Sequence, residues 1–223
     1  MIKCIIFDMD GVLINTEPLH FRLWQQVFRE RGVPLDYDHY KGCIGSTADY
    51  LFDLILEGYG RDFHNDPTIT ARFRELKQFV LKNEGLPRID GVPEVLCTLH
   101  SSGYRLAVAS SSPQDVIEQT MNRLGISHYF DLLFSAERVK RPKPAPDVFL
   151  ETALRLQMNP EECLVVEDSR NGSLAAKSAG MMCLGFQNPD SGCQDLSAAD
   201  QTFYPFCELA ALVGRNPSNI KES

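Results

Sequence analysis

Five short apolar runs, separated by stretches of helical period, constrain this chain more than any other feature. They occupy residues 2–7, 105–109, 132–134, 164–166 and 182–186, each bounded by Gly, Pro, Asp or Ser. Runs so short and continuous suit strands buried on both faces. Between them the period changes. Residues 113–124 place Val116, Ile117, Thr120, Met121 and Leu124 on one helical face. Residues 146–156 do the same with Val148, Phe149, Ala153, Leu154 and Leu156. Strand alternating with helix predicts an α/β fold, a parallel sheet with helices on both faces.

Residues 13–86 interrupt that alternation. Leu19, Leu23 and Val27 recur every four residues, Leu51, Leu54 and Ile55 continue the signal, and residues 71–82 form a further candidate helix. No strand pattern occurs here. A helical insertion directly after the first strand reads as a small all-α cap, residues 15–87, on a core made of residues 1–14 and 88–223. Turn residues put its hinges near 14–16 and 87–91. The polar tail, residues 214–223, is expected to fray.

The charge sum is −8, with 30 acids against 22 bases. That excess argues against a broad grip on nucleic acid or anionic lipid. No apolar run reaches the length of a membrane span, and no secretory leader pattern precedes the first strand. A cytoplasmic monomer is expected. Seven scattered cysteines, odd in number and without a CxxC pair, read as buried free thiols rather than a zinc cluster or disulfide framework.

The chemistry gathers where strands end. Ile5-Ile6-Phe7 runs into Asp8-Met9-Asp10-Gly11. Side chains alternate along an extended chain, so Asp8 and Asp10 can lean to one side. At the carboxyl end of a parallel strand they meet the crevice where such sheets bind ligands. Alone, the same text reads equally as a turn that ends a strand. Leu164-Val165-Val166 ends in a second acidic pair, Glu167-Asp168. Four carboxylates at one sheet edge repel unless a cation intervenes, and an all-oxygen set suits Mg²⁺. Val108-Ala109 ends in Ser110-Ser111-Ser112 before Pro113, which joins hydroxyls to a helix N-terminus and suits an anion, although a serine there is also an ordinary cap. Lys143 stands among prolines 142, 144 and 146, which fix the backbone of its loop.

Together these four motifs resemble the haloacid dehalogenase-like hydrolase superfamily, across nearly the whole chain. The resemblance includes a Rossmann-like core and a helical cap after strand one, as in the branch with β-phosphoglucomutase, phosphoglycolate phosphatase and sugar-phosphate phosphatases. It implies Asp8 as the nucleophile that forms an aspartyl-phosphate, Asp10 as general acid and then base, and Lys143 as the catalytic cation. It implies Ser110, Ser111 and Lys143 as phosphate-binding residues, and Asp8, Asp10, Glu167 and Asp168 as the Mg²⁺ set, Asp10 through its backbone carbonyl and Glu167 directly or one layer out. His20 and Ser112 are weaker candidates for contacts to the rest of the substrate. Asp10 also selects the chemistry: a phosphoester needs its leaving oxygen protonated, a halide does not.

A phosphatase of small phosphorylated metabolites, sugar phosphates above all, is therefore expected. A mutase is the alternative. It must hold a second phosphate, and the loop Cys43-Ile44-Gly45-Ser46-Thr47-Ala48-Asp49 carries neither Arg nor Lys, while Pro113 rather than a basic residue follows Ser112. Lys41 and Arg22 are the cations left to test. A non-catalytic metabolite-binding module fits less well, because no catalytic position is lost. A dinucleotide fold fails for want of Gly-x-Gly-x-x-Gly after strand one.

Overall fold

The computed structural model describes residues 1–43, 48–192 and 194–214. Six parallel strands form one sheet in the order β3-β2-β1-β4-β5-β6. They are β1 (Cys4–Phe7), β2 (Arg105–Ser110), β3 (Leu132–Ser135), β4 (Cys163–Glu167), β5 (Met182–Phe186) and β6 (Gln201–Phe203). The five apolar runs of the sequence are all strands. β6 has no counterpart among them, because three residues including Gln201 and Thr202 at a sheet edge carry no apolar run.

Among the described residues nine α-helices accompany the sheet. Four precede the second strand's own helix: α1 (Glu17–Arg29), α2 (Tyr37–Tyr40), α3 (Ala48–Tyr59) and α4 (Pro67–Asn83). The others are α5 (Val92–Ser101), α6 (Gln114–Leu124), α7 (Asp147–Arg155), α8 (Arg170–Ser178) and α9 (Leu209–Val213). α4 begins four residues before the expected 71, where Asp66 caps the Thr68 N–H and Pro67 supplies a helical φ. No described helix is long and apolar enough to cross a membrane.

Strand alternation divides the core. Ile5 and Phe7 of β1 join one buried cluster with α5, α6 and α9, while Cys4 and Ile6 join the opposite cluster with α7 and α8. The helices from α1 to α4 hold clusters of their own, in which Trp24 stacks on Phe73 at 4.1 Å and α1 packs on α4. Where the chain leaves and rejoins the sheet, the two linkers pair: Ile14 bridges Arg88, and the Asn15 N–H donates to the Pro87 carbonyl at 3.0 Å.

Cys4, Cys43, Cys163 and Cys183 are buried and free, as expected. Cys97 and Cys207 are free but exposed, which corrects the expectation for those two: Cys97 lies on the solvent face of α5. Cys193, Ser46, Thr47 and residues 215–223 lie outside the described residues.

Candidate active site

β1 lies between β2 and β4, and the chain reverses its direction of travel across the sheet at that point. The register sets Phe7 beside both Val108 and Val166. Asp8, Ser110 and Glu167 therefore leave adjacent strands at one edge, and a cavity of about 260 Å³ opens over them.

Lys143 reaches into that edge from the loop before α7. Its ammonium donates to Asp8 Oδ1 at 2.5 Å, Glu167 Oε1 at 2.7 Å and the Ala109 carbonyl at 3.3 Å. It also lies 4.9 Å from the centre of the Phe149 ring. The cluster is buried, and its charges are unevenly served. Burial pushes the Asp8 carboxyl up to about 7, against the pull of Lys143 and with Glu167 adding to the rise. Burial alone would lower Lys143, but Asp8 and Glu167 outweigh it and hold the ammonium above its ordinary range.

Both oxygens of Glu167 are taken. Oε1 accepts from Lys143; Oε2 accepts from the Asp168 and Ser169 N–H groups and the Ser169 hydroxyl at 3.1, 3.1 and 2.9 Å. Ser169 in turn caps α8 by accepting from the Gly172 N–H. A Cβ at Gly172 would fall 1.8 Å from the Glu167 carboxylate, so the close approach of helix and carboxylate requires glycine.

Asp168 is different. It is buried, makes no ion pair with a described residue, and accepts a hydrogen bond from the Ser191 hydroxyl. Burial first, then Glu167 and Asp8, raise its pKa well above the usual carboxylate range. Gly11, at φ +83°, lies so close that a Cβ would sit 1.9 Å from Asp168 Oδ2.

Asp10 faces away from this group, toward the helices. Its Oδ1 accepts from Thr16 Oγ1 at 2.7 Å and its Oδ2 from Ser112 Oγ at 3.0 Å. Lys77 Nζ of α4 lies 3.6 Å from Oδ1, and His20 Nε2 lies 3.9 Å from it, buried without a hydrogen-bond partner. Burial would raise this carboxyl, but Lys77, His20 and the two hydroxyls together hold it well below the ordinary range.

This geometry divides the four carboxylates of the sheet edge among different partners. Glu167 is spent on Lys143 and the start of α8, and the Asp10 side chain on the helical side of the cavity. Among the described residues, no three His, Cys, Asp or Glu side chains form a metal-holding group. Asp8, whose Oδ1 is taken by Lys143, and Asp168, which has no cationic partner among the described residues, lie together at the sheet end of the cavity.

The other sequence candidates converge. Ser110 is buried and accepts from the Ser112 N–H at 3.1 Å, and Ser111, Ser112 and His20 line the cavity. Sequence reasoning missed Thr16, Glu17, Tyr40, Lys77 and Ser191. Lys77 follows three residues after Arg74 on a helix rich in charge, and nothing local ties it to an aspartate 67 positions away. Glu17 reads as first-turn acid of α1, yet it is buried, with Tyr40 Oη donating to it at 3.4 Å and His20 Nδ1 3.6 Å away.

The model of the haloacid dehalogenase-like hydrolases matches residues 5–186. The chain belongs to that family. The phosphorylated carbohydrates phosphatase of Thermotoga maritima is 35% identical over 180 residues, which is 80% of this chain and 82% of the relative. Fructose-1-phosphate phosphatase YqaB of Escherichia coli K12 is 35% identical over 178 residues, 79% of this chain and 92% of the relative. Among solved structures, CbbY from Rhodobacter sphaeroides in complex with phosphate superimposes with a TM-score of 0.80 at 28% identity, covering 94% of this chain and 96% of that one. Within the haloacid dehalogenase-like hydrolases the chain stands in the branch of phosphatases and β-phosphoglucomutase, and it is an enzyme of the phosphoric monoester hydrolase class.

Proposed function

We propose that this hydrolase is a Mg²⁺-dependent phosphatase of small phosphorylated metabolites, sugar phosphates above all, acting through an aspartyl-phosphate on Asp8. One observation carries the reading: Lys143 is locked between Asp8 and Glu167, while Asp10, two residues on, is held separately by Thr16, Ser112 and Lys77. Two aspartates with two sets of partners suit two roles. The names of the relatives lend support to the substrate class.

The residues present fit a hard divalent ion. Asp168 is a buried acid without a cationic partner among the described residues, and its carboxylate takes the place a side chain at Gly11 would fill. Asp8, Asp168 and the Asp10 backbone carbonyl would hold Mg²⁺, an ion that is commonly bound through one or two carboxylates with water and substrate phosphate completing its shell. When bound, it would screen the phosphate so that an anionic nucleophile can approach.

The protein's own groups account for the rest. Asp8 attacks phosphorus, and the bond from phosphorus to the ester oxygen breaks. Lys143, Ser110 Oγ and the Ser111 N–H take the charge that builds on the phosphoryl oxygens. Asp10 gives a proton to the leaving oxygen and later takes one from the water that releases phosphate from Asp8. The low pKa of Asp10 favours the base role at rest. The acid role requires the substrate to weaken its contact with Lys77. Residues 15–87 act in this reading as a cap on the core of residues 1–14 and 88–223.

Water rather than a second sugar is the acceptor. Arg22 and Lys41, the cations nearest in sequence to serve as a mutase clamp, are bonded to Glu84 and Asp38, each at 2.8 Å. Phosphate release from a panel of sugar phosphates, with Mg²⁺ and with EDTA, tests the activity. Product analysis with β-glucose 1-phosphate tests the acceptor: inorganic phosphate should exceed glucose 6-phosphate even with glucose 1,6-bisphosphate as primer. Dominant glucose 6-phosphate would replace this reading with the mutase.

A further inference from the structure

The chain after β5 carries a short polar segment, Asn188-Pro189-Asp190-Ser191, which the reaction above does not use. It folds into a closed turn. The Ser191 N–H donates to the Asn188 carbonyl at 3.1 Å, and the Asp190 N–H donates to Asn188 Oδ1 at 2.9 Å. Just upstream, the Gln187 N–H donates to the Phe203 carbonyl of β6 at 3.0 Å, so the turn stands on the sheet. Asn188 and Ser191 are buried, and Asp190 is exposed.

Three side chains of this turn reach three separate parts of the protein. Asn188 Nδ2 donates to the Gly11 carbonyl at 2.8 Å and to Asn15 Oδ1 at 3.3 Å. Asp190 Oδ2 accepts from Asn15 Nδ2 at 2.6 Å. The Ser191 hydroxyl donates to Asp168 Oδ2. The chemistry at 188 calls for an amide, because one end of the side chain faces a carbonyl, which only accepts, and the other faces an N–H, which only donates. Gly11 directly follows Asp10, Asn15 opens the linker to the helical insertion, and Asp168 ends β4. One four-residue turn therefore ties the end of β1, the linker and the buried acid together.

Ser191 also divides the Asp168 carboxylate. Oδ2 is held between the serine hydroxyl and Gly11, where a Cβ would come within 1.9 Å. Among the described residues no donor is bonded to Oδ1. One oxygen is fixed by the protein and the other is left to meet a cation, the usual division of labour for a carboxylate that holds a metal.

We propose that Asn188, Asp190 and Ser191 form a latch that couples the cation site to the linker: Mg²⁺ at Asp168 tightens the chain at Asn15, and the latched turn sets the Asp168 carboxylate for Mg²⁺. Asn188 and Ser191 are positioning residues, acting through Gly11, Asn15 and Asp168. The proposal rests on the part of the phosphatase reading that gives Mg²⁺ to Asp168. Direct hydrogen bonds run without a gap from Asp168 through the turn to Asn15, and coupling through a shared element acts in both directions.

The test reads binding and backbone protection rather than turnover. Mg²⁺ is titrated into metal-free protein by calorimetry, and amide hydrogen exchange is followed in peptides covering residues 12–16 and 86–90. In the wild type, saturating Mg²⁺ should slow exchange in these linkers by about fivefold or more, the lower end of ordinary coupling between sites. Asn15→Ala removes both bonds from the latch to the linker. It should lose most of that slowing and keep the Mg²⁺ Kd within about twofold, because the linked form is already the resting one. Asp190→Ala, at an exposed position, should lose part of the slowing. Ser191→Ala should raise the Mg²⁺ Kd about tenfold, the ordinary cost of removing a group that orients a metal ligand. A serine that merely packed would instead lower the metal-free melting temperature and leave the Kd unchanged. Linker exchange indifferent to Mg²⁺ in the wild type, equal slowing in Asn15→Ala, or an unchanged Kd in Ser191→Ala would each overturn the latch, as would a wild-type protein that binds no Mg²⁺. The reaction stands or falls separately. If no ester is hydrolysed while Mg²⁺ still slows linker exchange through Asn15, the phosphatase reading fails and the latch is supported.

Discussion

The cavity over Asp8 has a sheet side and a helical side, and they treat the same residue type in opposite ways. On the sheet side, strand ends deliver Asp8, Glu167 and Asp168 into a buried space that holds one cation, Lys143, and the carboxyl of Asp8 rises to about 7. On the helical side, Thr16, His20 and Lys77 surround Asp10 and depress it. Met9 alone separates the two aspartates. Their difference lies in which half of the molecule each one meets. In the proposed mechanism the nucleophile near phosphate must be poised against excess negative charge, whereas the group that moves protons needs donors around it.

The comparison can be broken most severely on the sheet side. Asp8→Asn should fold with a near-native thermal transition and lose about 10⁴-fold or more of its turnover, because an amide does not attack phosphorus. Substantial phosphate release by that variant would remove Asp8 as nucleophile. Lys143→Met should cost both activity and stability. It leaves Asp8 and Glu167 buried without their cation, a loss of about 3–5 kcal/mol, readable by urea denaturation in EDTA.

On the helical side the losses should be smaller and dependent on the substrate. Asp10→Asn should lower kcat by about 10²–10⁴-fold on sugar phosphates and by less on aryl phosphates, whose leaving groups need no proton. Equal losses on both would contradict its acid role. Lys77→Met should cost about tenfold in kcat and move the acidic limb of the pH–rate profile upward, because Asp10 loses its largest attractive partner. An unmoved profile would show that Lys77 packs beside Asp10 without tuning it.

The smallest effect separates the two sides by pH. A carboxyl whose pKa is raised on folding binds protons more tightly in the folded chain, so its contribution to stability falls as pH rises. For Asp8 the window runs from its ordinary 3.8 to about 7, and Asp168 shifts in the same direction. Asp10 has the reverse sign, but its depressed pKa puts its window below 3.8. Metal-free protein should therefore melt at a higher temperature near about pH 5 than near about pH 7.5, and Mg²⁺ should narrow the gap at the higher pH. A melting temperature that rises across this range in EDTA would mean that the sheet-side acids are better compensated than their geometry implies.

The two sides also differ in how well the sequence announces them. Each sheet-side group follows directly from an apolar run: Asp8 after Phe7, Ser110 after Ala109, Glu167 after Val166. Once a run is read as a parallel strand, its last residues are placed by the sheet itself, and pairing in register does the rest. Lys143 was legible through its prolines. On the helical side, position depends on tertiary packing. Lys77 meets Asp10 because α4 packs on α1, a contact that no periodicity encodes. Glu167 shows the limit from the other direction. Its presence at the site was readable, but its engagement with Lys143 and the start of α8 depended on side-chain geometry. β6 escaped because a three-residue edge strand needs no apolar face of its own.

The paired linkers at Ile14 and Arg88 have a consequence for how such a protein can change. The helical insertion departs from the sheet and returns to it at neighbouring points. A segment whose two ends lie side by side can be lengthened, shortened or exchanged while the strands that flank it keep their places. The strand ends that carry Asp8, Ser110 and Glu167 and the helices of the insertion are thereby free to diverge separately. Descendants of one ancestral sheet can rewrite residues 15–87 and leave Asp8 where it stands.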